Sequence, residues 1–158
     1  MGDQAAPDFC VSQLNNRDIK MDIPRLATIE KDYWELESGE ARHAKAPDTF
    51  WIPSREERES LEVGAGVKLL FIIETEDENS RIEHAVERMW VIVKLRLSGI
   101  YIGILDSEPA TFEPEPGFLA RGSEIIFKPE HIIDISQPPR RYIIEEYGAN
   151  FFSEVDDG

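Results

Sequence analysis

The chain has 158 residues, 41% of them apolar, and a net charge of −15 from 32 acids against 17 bases, which is enough for one core without a staple or a metal. So acidic a chain repels phosphate backbones and anionic lipid, and nucleic acid and membrane surfaces are therefore excluded as expected partners. The single Cys10 permits no intramolecular disulfide, residues 97–105 are too short a run to span a membrane, and residues 1–20 carry no secretory signal, so a reducing cytoplasm is the expected compartment.

Residues 1–23 read as an amino-terminal extension, 24–152 as a single α+β domain and 153–158 as an acidic tail. Leu26, Ile29, Tyr33 and Leu36 recur at spacings of three and four, which predicts a helix over residues 25–36. Ser54, followed three residues later by Glu57, forms a capping box and predicts a short helix over residues 55–60. Runs rich in β-branched and aromatic residues predict strands at 66–74, 88–97, 100–105 and 123–128, with a weaker fifth at 132–135. Ser98-Gly99 is the tight link that pairs the second and third antiparallel, Gly99 supplying the positive φ. After Pro138-Pro139, Ile143, Ile144 and Tyr147 allow a closing helix that stops at Gly148.

One pattern occurs twice: Leu61-x-x-Gly64-x-x-Val67-x-Leu69 returns as Leu119-x-x-Gly122-x-x-Ile125-x-Phe127, a turn leading into a strand of a small barrel. Val67, Leu69, Phe71 and Ile73 share a strand face with no polar member, as do Met89, Val91, Val93, Leu95 and Leu97. The opposite faces are mixed. Leu70, Ile72, Trp90 and Ile92 need a cover, and the helix over 25–36 is expected to provide it. The fold expected is a bent antiparallel sheet of four to five strands approaching a small barrel, with amino-terminal helices packed on it.

Chemistry is sparse. His43, His84 and His131 share no metal-ligand spacing, and no metal or cofactor is expected. Glu130-His131 with Asp134 is the nearest approach to an oriented general base, but in an extended segment Glu130 and His131 face apart, and a surface loop histidine is expected. Asp106 and Glu108 could form a carboxylate dyad, though a solvated turn fits better. Cys10 has no cationic neighbour to activate it, Ser54 is occupied by its cap, and Gly64-Ala65-Gly66 lacks the helix that would bind phosphate. Trp34, Trp51 and Trp90 are explained by a hydrophobic staple or a second layer.

Acid is concentrated in residues 74–87, 105–117 and 145–158, and the first two segments read as solvated loops. Glu76, Asp77, Glu78, Asp106 and Glu108 are the candidate partner-binding residues; no catalytic residue is assigned.

The block Pro47-Asp48-Thr49-Phe50-Trp51-Ile52-Pro53-Ser54, the strand Glu87-Arg88-Met89-Trp90-Val91, Gly103-Ile104-Leu105-Asp106-Ser107-Glu108-Pro109 and Pro129-Glu130-His131-Ile132 carry a resemblance over residues 40–135. The chain resembles a family of small bacterial domains that includes immunity proteins of polymorphic and contact-dependent toxin systems. The resemblance implies a binding protein, not an enzyme, which neutralises a toxin by covering its surface, and an acidic surface would steer it onto a basic toxin domain. The other reading is a small-ligand or enzymatic domain that uses the barrel mouth.

Overall fold

In the computed structural model residues 25–110 and 119–152 are described. The expected extension with Cys10, the acidic tail and residues 111–117 of the second acidic segment lie outside them. The elements run α1 (Ile29–Asp32), β1 (Trp34–Glu37), α2 (Gly39–Lys45), α3 (Arg55–Glu59), β2 (Gly66–Glu76), β3 (Ile82–Leu97), β4 (Ile100–Leu105), β5 (Glu124–Phe127), a 3-10 turn (Pro129–His131), β6 (Ile132–Ser136), α4 (Arg140–Tyr147) and a final 3-10 turn (Ala149–Phe152). All strand pairs are antiparallel. The strands form one curled sheet in the order β1-β2-β3-β4-β5, and β6 also pairs with β2. This half-barrel with a few short helices is the expected α+β fold.

Strand alternation puts Val67, Leu69, Phe71 and Ile73 from β2 into one core with Met89, Val91 and Val93 from β3, and Leu105, Ile125, Phe127 and Ile132 close it from the other strands. The bulge between Val93 and Leu95 ends the alternation on β3, so Leu95 and Leu97 do not continue the buried row. The Ser54 box is formed at both of its bonds, and Gly148 stops α4 at a φ of 104°.

The helix expected over residues 25–36 is a single turn. Tyr33 takes the left-handed conformation at φ 68° and ends it, after which Trp34 to Glu37 pair with Leu70 to Ile73 of β2. The alternation Trp34, Glu35, Leu36, Glu37 governs, and Trp34 rests on the Phe71 ring at 5.5 Å between centroids. That helix therefore does not cover the outer face. Ile92 is instead covered from the carboxy-terminal end, by Ile143, Phe151 and Phe152, with Ile104, Tyr142 and Tyr147 packed around them. The first acidic segment is corrected too. β2 continues to Glu76 and β3 begins at Ile82, so only Asp77 to Arg81 form a turn and the remainder is ladder.

The repeated nine-residue pattern is a structural repeat. Gly64 and Gly122 have φ of 99° and 98°. The Gly64 amide donates to the Val93 carbonyl at 2.8 Å and the Val93 amide donates back to Ala65; the Gly122 amide donates to the Leu105 carbonyl at 2.8 Å and the Leu105 amide donates back to Ser123. Register agrees as well, since Gly66 faces Ile92 as Glu124 faces Ile104, and Leu69 faces Met89 as Phe127 faces Tyr101. The exchange of β2 with β5 and of β3 with β4 defines an approximate two-fold axis through the sheet, and the Ile92–Ile104 pair lies on it.

Candidate functional site

Beyond Glu74, whose amide donates to the Tyr33 carbonyl at 2.9 Å, β2 and β3 pair only with each other among the described residues, because β1 reaches no further along β2 and β4 joins β3 no earlier than Val91. The result is a two-stranded arm. On one face Ile72 opposite Val86 stands at its base, where β1 still pairs with β2, and the arm carries Glu74 opposite His84 and Glu76 opposite Ile82. Val86 is 48% and Ile82 54% exposed, unusual for aliphatic side chains in a strand. The carboxylates of Glu74, Glu76, Glu78 and Glu83 have no ion-pair partner among the described residues. Asp77 is engaged: its Oδ1 accepts from the amides of Asn79 and Arg81 at 2.8 Å each, and its Oδ2 meets Arg81 Nε at 3.1 Å. Asp77 therefore shapes the arm's tip, and Glu76 and Glu78 point from it into solvent.

Asp106 and Glu108 part company. Glu108 is exposed, whereas Asp106 is tucked under α4, where both of its oxygens accept from the Tyr142 hydroxyl at 3.0 Å and Oδ1 also accepts from Tyr147. Arg121 reaches Asp106 at 3.4 Å and Glu146 at 2.7 Å. Burial, with the hydrogen bond to Asp106 added, pushes the Tyr147 hydroxyl well above its ordinary value, and Tyr142 moves the same way for the same first reason. The arrangement is a clasp that fastens α4 to the end of β4. Sequence reasoning missed it because the tyrosines lie more than thirty residues from Asp106, at |i−j| of 36 and 41.

His131 is buried, not at the surface. Its Nδ1 accepts from the Lys128 amide at 2.9 Å, so the ring proton sits on Nε2, which approaches Glu130 at 3.6 Å. The 3-10 turn brings together two residues that an extended chain would hold apart. Burial, the largest influence, lowers the His131 pKa from its ordinary value and keeps the ring neutral. Trp51 departs from expectation in the other direction: it covers nothing and is 80% exposed. The loop beneath it is held at two carbonyls, with His43 Nδ1 donating to Phe50 O at 2.7 Å and Arg58 Nε to Pro53 O at 2.9 Å, and the Phe50 ring lies against both Arg42 and Arg88.

A cleft of about 410 Å³ opens at the end of the sheet where β3 turns into β4. Its walls come from α2 and α3 (Glu40, Arg55, Glu59), the β3–β4 turn (Arg96, Gly99) and the residues after β5 (Lys128, Glu130). Arg58 lies buried behind it, bound to Glu40 at 2.7 Å and to Pro129 O at 3.1 Å. Among the described residues no cluster of three or more His, Cys, Asp or Glu side chains could hold a metal, and no helix is long and apolar enough to cross a membrane. Comparison with protein-family models, with curated proteins and with solved structures finds no match to this chain.

Proposed function

We propose that this chain is a binding protein that meets a basic protein partner through the β2–β3 arm. The observation that carries this reading is the composition of the arm and its base: exposed Ile82 on the arm and exposed Val86 at its base lie among carboxylates that no cation of the described chain neutralises. Apolar anchors rimmed by like charge are what a complementary interface uses, the apolar groups for residence time and the charges for steering. Holding Glu74, Glu76, Glu78 and Glu83 close together costs the fold repulsion that a cationic partner would relieve. A basic toxin domain, the partner class the family resemblance implies, has the charge that such an arm attracts. The exposed Glu108 can add to that field, while the contribution of Asp106 is to hold α4.

The test is association kinetics. A partner is captured from the native host on the full chain and identified, and its on-rate is measured against the wild type and against Glu76→Gln/Glu78→Gln/Glu83→Gln. Asp77 is left in place because it shapes the turn. The wild-type on-rate should fall steeply with rising salt and the variant should associate about tenfold more slowly at low salt. Equal on-rates would overturn the reading.

A further inference from the structure

The 32 acids of the chain leave few cations unoccupied. Among the described residues, every Arg and Lys has an ion-pair or aromatic-ring partner except Lys31, Lys45, Arg96 and Lys128. Lys31 and Lys45 lie in the last turns of α1 and α2, where the free carbonyl ends of a helix favour positive charge. Arg96 and Lys128 have no such reason to stand alone. They come from different elements, the end of β3 and the residue after β5, and both line the same cleft. A third cation there, Arg55, is held only loosely, at 3.9 Å from Glu40 and 3.7 Å from Glu59. Glu40 is already engaged by the buried Arg58, whose three contacts to Glu40, Pro53 O and Pro129 O fix that wall of the cleft.

We propose that this cleft binds a small dianionic oxyanion, a phosphate or a dicarboxylate, between Arg96 and Lys128. A guanidinium offers such a group a two-pronged donor and an ammonium a point charge, and each hydrogen bond is strengthened by its charge. The Glu40, Glu59 and Glu130 carboxylates on the same walls restrict the ligand to a compact anion, because an extended polyanion would run against them. His131, packed behind Lys128 and Glu130, is neutral, so the positive charge of the cleft comes from the Arg and Lys side chains. The cleft lies at the opposite end of β3 from Ile82 and Val86, so its occupancy is independent of the arm's partner.

Titration of the full chain with inorganic phosphate and, separately, with succinate tests the site, followed by amide chemical shifts of Gly99, Ile100 and Lys128. One probe should give saturable shifts at these amides, and the tighter probe identifies the chemical source. Arg96→Gln/Lys128→Gln should weaken that binding by about tenfold or more. Both side chains lie on the surface, so the melting temperature should not move. A control, Lys31→Gln/Lys45→Gln, removes the same charge elsewhere and should bind as the wild type does. Unsaturable shifts with both probes, or equal affinity in the Arg96/Lys128 variant, would overturn the proposal.

Discussion

Val91 and Gly103 are exchanged by the approximate two-fold axis of the sheet, yet one is branched and the other bare. A Cβ on Gly103 would stand 2.5 Å from Val91 Cγ1 and 2.7 Å from the Ile92 carbonyl oxygen. The repeat is thus broken where symmetry would place two side chains in one space. Gly103→Ala should destabilise the fold by about 1–3 kcal/mol in chemical denaturation. Adding Val91→Ala should restore only part of the loss, because the Ile92 carbonyl belongs to the backbone and cannot be trimmed. Full rescue would show that the side-chain contact was the whole conflict.

Gly64 and Gly122 allow a matched experiment. Their backbones agree, but a Cβ on Gly64 would meet the Phe152 ring at 2.9 Å and one on Gly122 would meet nothing within 4 Å. Gly122→Ala should cost about 1–2 kcal/mol, the strain of a side chain in a positive-φ conformation. Gly64→Ala should cost more than that. Equal losses would mean that Phe152 moves aside freely.

The tyrosine clasp predicts behaviour at high pH. Tyr142 and Tyr147 are held protonated in the fold, whereas the unfolded chain loses these protons near the ordinary tyrosine value of 10.0. Above that pH the unfolded state is favoured, so stability should fall as pH rises. Tyr147→Phe should cost about 1–3 kcal/mol at neutral pH by leaving Asp106 short of a donor, and it should reduce the alkaline decline. Phenolate absorbance that appears together with unfolding, and not before it, is the expected signature.

His131 predicts the acid side. Neutral in the fold and free to take a proton near 6.5 when unfolded, it contributes a stability that is complete above that value and is lost as pH falls below it. His131→Gln should be less stable at neutral pH, since Nδ1 accepts the Lys128 amide, and its melting temperature should decline less between about pH 7 and pH 5. Parallel declines in the two proteins would assign the acid sensitivity to other groups.

Trp51 should matter little for stability. Its exposure means that Trp51→Ala should change stability by less than about 0.5 kcal/mol. A larger loss in thermal denaturation would show that the indole has a packing role.

The strands and caps were legible in the sequence because they depend on neighbours. Ser54 and Glu57 are three residues apart, and Val67 to Ile73 alternate within one strand, so local pattern decides both. The repeat could be read for the same reason, its glycines marking the turns. Trp34 to Glu37 misled because Ile29, Tyr33 and Leu36 satisfy a helical spacing as well as the alternating one, and pairing with β2 selects the strand. The cover of Ile92 and the neighbours of Asp106 were beyond reach, since both depend on α4, which comes from far along the chain. Glu76 and Glu78 could be picked out by charge, but the surface that displays them also holds Ile82 and Val86, which resemble core residues in the sequence and stand exposed in the fold.

The edge of β2 is shared by two strands from distant parts of the chain: β1 takes Leu70 to Ile73 and β6 takes Gly66 to Leu69. β1 can dock as soon as β2 has formed, but β6 is separated from its site by the whole of β3, β4 and β5. Until Ile132 has left the ribosome, half of that edge is an open template for pairing with any other chain. Ribosome-bound fragments that end before residue 132 should therefore be the stage at which this protein most needs a chaperone, and closing the β6 contact, the longest loop in the sheet, should set the pace of folding.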